Sequence, residues 1–234
     1  MARLPRLSVG GLPHLLVQRS HHGQPVFIDD SDRTLFRNLL GDSAKAEGVA
    51  LHAYALMDDQ VRLLATPATA ESLGRMMQTL GRRYGGAFNR RHGRSGGLWE
   101  GRFRATIIEP ERHLLEVLQY IEDAANWAGD VSQAESGPVS SRGHHVGRRQ
   151  DSLVTDHALF WALGNTPFDR EASYRRLLED GLPSSRRNVL ESAVRTGWPL
   201  GSEPFVAALS GKTERRLAPL KRGRPPKVKA PPVI

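Results

Sequence analysis

Short blocks of apolar residues, broken by turn formers, set the reading of this chain. Residues 14–19 are a short apolar run that reads as a strand, followed by a turn-rich stretch through Gly23 and Pro25. Ser31-Asp32 can cap a helix carrying Leu35, Phe36, Leu39 and Leu40 at helical spacing, ending near Gly48. Two further apolar runs, 50–57 and 61–66, predict strands joined by a turn at Asp58-Asp59. Glu71-Ser72 opens a second helix with Leu73, Met76, Met77, Leu80, Tyr84 and Phe88 on one face. Residues 104–109 predict a fourth strand, and 111 to about 127 a third helix. The order β-α-β-β-α-β-α is that of an α+β, ferredoxin-like antiparallel sheet with packed helices.

Beyond this unit, taken as 1–130, the pattern weakens. Residues 131–150, rich in Ser, Gly and Arg, read as a connector. Amphipathic stretches at 169–179, 184–196 and 202–217 predict a small helical extension over 151–217. The Pro, Gly and Lys content of 218–234 predicts a disordered basic tail. No internal repeat is present.

Composition narrows the function classes. With 39% hydrophobic residues the chain has enough apolar material to bury a core, and with no cysteine it has no disulfide, thiolate metal site or cysteine nucleophile. There is no long apolar run and no signal-peptide pattern, so no membrane partner is expected and the expected location is the bacterial cytoplasm, in association with the nucleoid. The net charge of +8 is concentrated in two places. Residues 75–104 hold eight arginines against Glu100, and 212–229 hold eight Lys or Arg against Glu214, so each block carries +7 and the remainder is acidic. Two basic blocks on an acidic body point to a polyanion partner.

Residues 51–64, Leu-His-Ala-Tyr-Ala-Leu-Met-Asp-Asp-Gln-Val-Arg-Leu-Leu, resemble the signature strand of single-tyrosine HUH transposases, in particular the REP-associated tyrosine transposases and their insertion-sequence-200-like relatives. That family's strand reads approximately His-Ala-Tyr-x-Leu-Met-Pro-Asn-His-Val-His-Leu-Leu. The resemblance continues through Phe88-Asn89-Arg90-Arg91-His92-Gly93-Arg94-Ser95-Gly96 and Leu98-Trp99-Glu100-Gly101-Arg102-Phe103, and reaches Tyr120-Ile121. It implies single-strand DNA cleavage by a metal-polarised phosphate and a nucleophilic tyrosine, with Tyr120 at the nucleophile position. Two histidines at i and i+2 of a strand share one face and hold the family's Mg or Mn. Here those positions hold Gln60 and Arg62. A glutamine carbonyl is a weak ligand and a guanidinium repels a cation, although arginine can hold a phosphate by charge-assisted hydrogen bonds. No resident metal or cofactor is therefore expected. The family's Tyr-Ile-His-x-Asn-Pro stretch appears as Tyr120-Ile121-Glu122-Asp123-Ala124-Ala125. Without the metal, Tyr120 also reads as a core residue in step with Leu114, Leu118 and Ile121.

Other candidates carry less chemistry. Asp58-Asp59 reads as a turn former, His52 as a structural strand histidine, and His21-His22 and His144-His145 lack a carboxylate motif and receive no role. Arg75, Arg82, Arg83, Arg90, Arg91, Arg94, Arg102 and Arg104, interleaved with Tyr84, Phe88 and Trp99, form the candidate DNA-binding segment. Phe88 is expected in the core, while Tyr84 and Trp99 stay open between core and base stacking. In the tail, Lys221-Arg222-Gly223-Arg224-Pro225-Pro226-Lys227 resembles an AT-hook, with Arg222 and Arg224 suited to a narrow A·T-rich minor groove. A non-specific cationic arm fits the same residues. The expected function is recognition of single-stranded or hairpin DNA by a transposase relative, possible as a homodimer, with strand cleavage impaired or lost. The alternatives are an active transposase with an atypical metal site, and an RNA-binding ferredoxin-like module.

Overall fold

The computed structural model describes residues 5–123 and 139–219. Its strands are β1 (His14–Arg19), β2 (Val49–Met57), β3 (Gln60–Pro67), β4 (Arg104–Ile107) and the short β5 (Val139–Ser140). They form one antiparallel sheet in the order β4-β1-β3-β2-β5. The first four strands follow the ferredoxin-like plan, and β5 extends the sheet beyond β2. Asp58-Asp59 forms the tight turn between β2 and β3, as expected, and the β2–β3 register breaks once, between Leu51 and Ala53.

The helices are α1 (Asp30–Ala46), α2 (Ser72–Arg91), α3 (Pro110–Glu122), α4 (Arg142–His145), α5 (Ala158–Trp161), α6 (Pro167–Asp180), α7 (Ser184–Thr196) and α8 (Glu203–Ser210). Helix α1 starts two residues earlier than the Ser31-Asp32 cap predicts. The Asp29 carboxylate accepts from the Asp32 N–H at 3.0 Å, and the Asp32 carboxylate accepts from the Ile28 N–H at 2.9 Å, so this pair of acids fixes the first turn. Pro110 occupies the first turn of α3, where its missing N–H costs nothing. The predicted end of that helix, near 127, lies outside the described residues.

Both faces of the sheet are covered. On one, Leu16, Leu51, Tyr54, Leu56, Val61, Leu63 and Ala65 pack against Phe36 and Leu40 of α1 and Met76, Leu80, Tyr84 and Phe88 of α2. On the other, Leu15, Val17, Ala53, Ala55 and Leu64 pack against Leu114, Val117, Leu118 and Ile121 of α3. Phe160, Tyr174, Leu178, Leu190 and Val194 of α5, α6 and α7 complete that second layer. Burial on both faces accounts for the near-continuous apolar sequence of β2 and β3. The segment from 139 onward, read from sequence as connector and appendage, thus belongs to the same core as β1. It also covers the free edge of the sheet. The Leu200 N–H donates to the Ile107 carbonyl and the Glu109 N–H to the Leu200 carbonyl, both at 2.8 Å, and Thr106 Oγ1 donates to the Trp198 carbonyl at 2.6 Å. An edge strand tied down this way is closed to pairing with another chain.

His14, at the start of β1, is fully buried with both ring nitrogens occupied. Nδ1 donates to the Leu12 carbonyl at 2.7 Å and Nε2 accepts from the Val9 N–H at 3.4 Å, which fixes the neutral ring. Burial pushes its pKa from 6.5 down to about 4. The native state therefore refuses a proton that the unfolded chain accepts, and the stability this gives is complete above pH 6.5 and is lost as pH falls toward 4. The loss is expected to be about 3 kcal/mol across that window. The Asp29 carboxyl, held down to about 2 by Arg91, fades only below its ordinary 3.8, so the two windows separate. Denaturant unfolding of wild type and His14→Gln between pH 6.5 and 4 checks this. The variant should show the shallower decline, and equal slopes would refute it.

Candidate nucleic-acid interface and the Arg62–Tyr120 pair

Strand alternation places Gln60 and Arg62 on the α3 side of β3. Arg62 sits between Val17 of β1 and Ala55 of β2, and the small Ala55 leaves room for its side chain to rise from the sheet. Its guanidinium carbon lies 4.3 Å from the centre of the Tyr120 ring, and Nη1 donates to the Tyr120 carbonyl at 3.3 Å. The two positions singled out by the sequence motif are therefore brought together, as a cation–π stack. Arg62 is 5% exposed and Tyr120 2%. Burial raises the Tyr120 phenol above its usual range and lowers the Arg62 guanidinium, and the Arg62 charge offsets part of the tyrosine's rise.

Helix α7 reaches across this pair. Asn188, Glu191, Ser192, Val194 and Arg195 line a hollow of about 320 Å³ whose other walls are Val17, Arg19, Glu100, Arg104 and Tyr120. Arg104 Nη1 donates to the Arg195 carbonyl at 2.9 Å, and on α3 Glu116 is paired with Arg186 at 2.7 Å. A divalent cation does not fit this donor set. The i+2 position carries a buried guanidinium already stacked on the tyrosine and the i position only an amide, while the carboxylates of Glu100 and Glu191 share their hollow with Arg19, Arg104 and Arg195.

The arginine segment divides by its partners. Arg91 bridges Asp29 and Asp32, each at 2.6 Å, and His92 Nε2 lies 2.9 Å from Asp32, so these side chains lock the end of α2 onto the start of α1. Arg75 pairs with Glu47 at 2.6 Å, Arg83 with Asp42 at 3.6 Å, and Arg94 donates to Gln24. Arg82, Arg90 and Arg102 are exposed and have no hydrogen bond or ion pair among the described residues. The open aromatics resolve differently. Tyr84 and Phe88 are core residues, with the Tyr84 hydroxyl donating to the Val26 carbonyl at 2.5 Å. Trp99 is half-buried at the edge of that cluster, 6.2 Å from both Phe36 and Tyr84. Arg222 and Arg224 lie outside the described residues.

His52 is structural, with Nδ1 on the Thr155 carbonyl at 2.6 Å and Nε2 on Thr66 Oγ1 at 2.8 Å. The His144-His145 pair, given no role from sequence, has two carboxylates brought to it by the fold. His145 Nδ1 meets Glu122 at 2.6 Å, and His144 Nε2 meets Asp156 at 3.2 Å. These histidines and Asp156 form a tight cluster. His144 Nδ1 accepts the Asp151 N–H at 3.1 Å, which leaves Nε2 carrying a hydrogen toward Asp156 rather than a lone pair for a metal. Asp156 accordingly raises the His144 pKa. Sequence reading had no signal for these contacts, because the acids are separated from the pair and follow no motif spacing.

Among the described residues, neither sheet face is open for bases to stack on, and no helix is long and apolar enough to cross a membrane. Residues 13–124 match the family model of the IS200-like transposases. The fold is similar to that of a REP-associated tyrosine transposase bound to a REP hairpin, at TM-score 0.52 and 14% identity, covering 68% of this chain and 96% of that one. A transposase-like protein of Deinococcus radiodurans R1 aligns at 26% identity and TM-score 0.36, over 53% of this chain and 97% of that one. No curated protein sequence matches the chain.

Proposed function

We propose that this chain, whose residues 13–124 match the family model of the IS200-like transposases, binds single-stranded or hairpin DNA and has impaired or lost metal-dependent strand cleavage. The observation that carries the reading is the row of exposed arginines without carboxylate partners: Arg82, then Arg90 about two turns further along α2, and Arg102 on the following loop. An arginine neutralised within the fold has little left to offer a phosphate, whereas one facing water releases a condensed counterion when it binds. Arg75, Arg83 and Arg94 lie on α2 and the loop after it but would each have to leave a protein partner, and Arg104 faces the Tyr120 hollow. The similarity in fold to a transposase bound to a REP hairpin supports DNA as the polyanion. The stacked and covered Arg62–Tyr120 pair supports the loss of cleavage. Arg222-Gly223-Arg224-Pro225 would add contacts to A·T-rich duplex next to the hairpin.

The test is the salt dependence of affinity for a labelled hairpin with single-stranded flanks. Replacing Arg82, Arg90 and Arg102 together by Ala should lower affinity. It should also reduce the slope of log K against log salt by roughly 2, at about 0.7 per single-strand contact. Arg91→Ala should instead lower stability, because it removes a partner of the buried Asp32. An unchanged slope in the triple variant would show that these arginines only solvate the surface.

A further inference from the structure

Beside α2 lies a cleft of about 550 Å³, on the sheet face opposite Tyr120. Its floor is apolar and aromatic, formed by Phe36, Met77, Trp99 and Phe103, and Arg75, Arg82 and Arg102 stand at its rim. We propose that this cleft takes one unstacked nucleobase of the bound DNA, with the adjoining phosphates held by Arg82 and Arg102. The proposal rests on the DNA-binding reading above and specifies where a base would enter.

Two features of the cleft favour a heteroaromatic guest over a purely apolar one. The first is the wall that α2 presents. Gly74 and Gly81 lie in the helix interior, where glycine costs about 1 kcal/mol relative to alanine. Neither has a backbone angle that demands glycine. A side chain at Gly74 would meet open space and one at Gly81 would begin 3.7 Å from Trp99, so what the glycines provide is room in the cleft. The second feature is Trp99 itself. Its indole N–H is buried without a hydrogen-bond partner, although buried donors are nearly always satisfied. The Cδ1–Nε1 edge of the ring lies 3.7 Å from where a side chain at Gly81 would begin. A base carries ring nitrogens and carbonyls that accept such a hydrogen bond and a flat face that packs on aromatic walls, while Arg82 and Arg102 match its phosphates. A hydrocarbon ligand would use neither the N–H nor the arginines.

The glycines also provide the test. Gly74→Leu with Gly81→Leu should fold at least as well as wild type, since leucine is a better helix former, and would fill the cleft while leaving every arginine in place. The probes are labelled hairpins with single-stranded flanks, intact or with one unpaired nucleotide at a time made abasic, together with free deoxynucleoside monophosphates. In wild type, one abasic position should weaken binding about tenfold, the loss of one stacked base. The filled variant should bind the intact hairpin about tenfold more weakly and no longer respond to that position. Its salt slope should stay at the wild-type value. If the filled variant binds and responds to abasic sites like wild type, the cleft assignment is wrong while DNA binding stands. A wild-type protein that binds no hairpin defeats both readings. Free monophosphates bound as tightly as the hairpin would replace a DNA base by a soluble nucleotide as the occupant.

Discussion

Incubated with a labelled DNA hairpin and Mg²⁺ or Mn²⁺, the protein is expected to yield no covalent protein–DNA product on a denaturing gel, with Tyr120→Phe indistinguishable from wild type. A tyrosine nucleophile must reach the scissile phosphorus and must be helped to lose its proton. Tyr120 is 2% exposed, its phenol is raised by burial, and α7 lies across the approach with Glu191 among the lining residues. Removing a single preformed charge stabiliser from a phosphoryl or acyl transfer site commonly costs about 10²–10³ in rate. Here the i and i+2 ligand positions hold an amide and a stacked guanidinium, so the expected deficit exceeds that of one lost contact. Restoring Gln60→His and Arg62→His together should raise Mn²⁺ affinity without producing an adduct, because α7 still covers the tyrosine. A metal-dependent adduct in wild type, abolished by Tyr120→Phe, would overturn the proposal and identify an active transposase with an atypical site.

What the sequence reveals here depends on how local the governing interaction is. The order of elements follows from apolar spacing, and i, i+2 alternation alone places Gln60 and Arg62 on one side of β3. The motif leaves Tyr120 between nucleophile position and core residue, and the structure brings Arg62 onto its ring. The second layer was less legible. Helices α6 and α7 bury only Arg170, Tyr174 and Leu178, and Leu190 and Val194, a pattern shared by helices lying loosely on a surface. What seats them includes contacts far apart in sequence, such as Glu116 with Arg186 of α7 and Glu122 with Tyr174 of α6. The same distance in sequence hid the carboxylate partners of His144-His145 and the capture of Arg91 by Asp29 and Asp32. Charge counting treats all eight arginines of the block alike, and only the fold separates those already paired from Arg82, Arg90 and Arg102. The cleft had no sequence signal of its own, since a glycine in a helix reads as a weak helix position until its neighbours are known.

Glu122 is the residue whose replacement should damage the fold most. It ends α3 two residues after Tyr120, where the pattern of the resembled family carries a histidine, and it is fully buried. Oε2 accepts from the Tyr174 hydroxyl at 2.7 Å, and Oε1 accepts from His145 Nδ1–H at 2.6 Å and from the Ser141 hydroxyl. One carboxylate thus gathers α4, α6 and the start of the segment that follows β5, and His145 is packed in turn against Phe160 at 4.6 Å. A carboxylate at a helix C-terminus is disfavoured by the helix dipole, so these donors must outweigh that cost as well as desolvation. Glu122→Leu would leave the Tyr174 hydroxyl and His145 Nδ1–H without an acceptor and Ser141 with only the Tyr54 carbonyl, at 3.3 Å, and is expected to cost about 3–5 kcal/mol. Tyr174→Phe and Ser141→Ala remove one donor each and should cost about 1 kcal/mol apiece. Because all three share one acceptor, Tyr174→Phe combined with Glu122→Leu should cost less than the sum of the two. Urea unfolding of the set measures these values. Limited proteolysis should then show cleavage within 139–217 appearing first in Glu122→Leu, as the second layer loosens from α3. A Glu122→Leu protein within about 0.5 kcal/mol of wild type, the range of an ordinary surface substitution, would mean that apolar packing alone holds the extension over Tyr120.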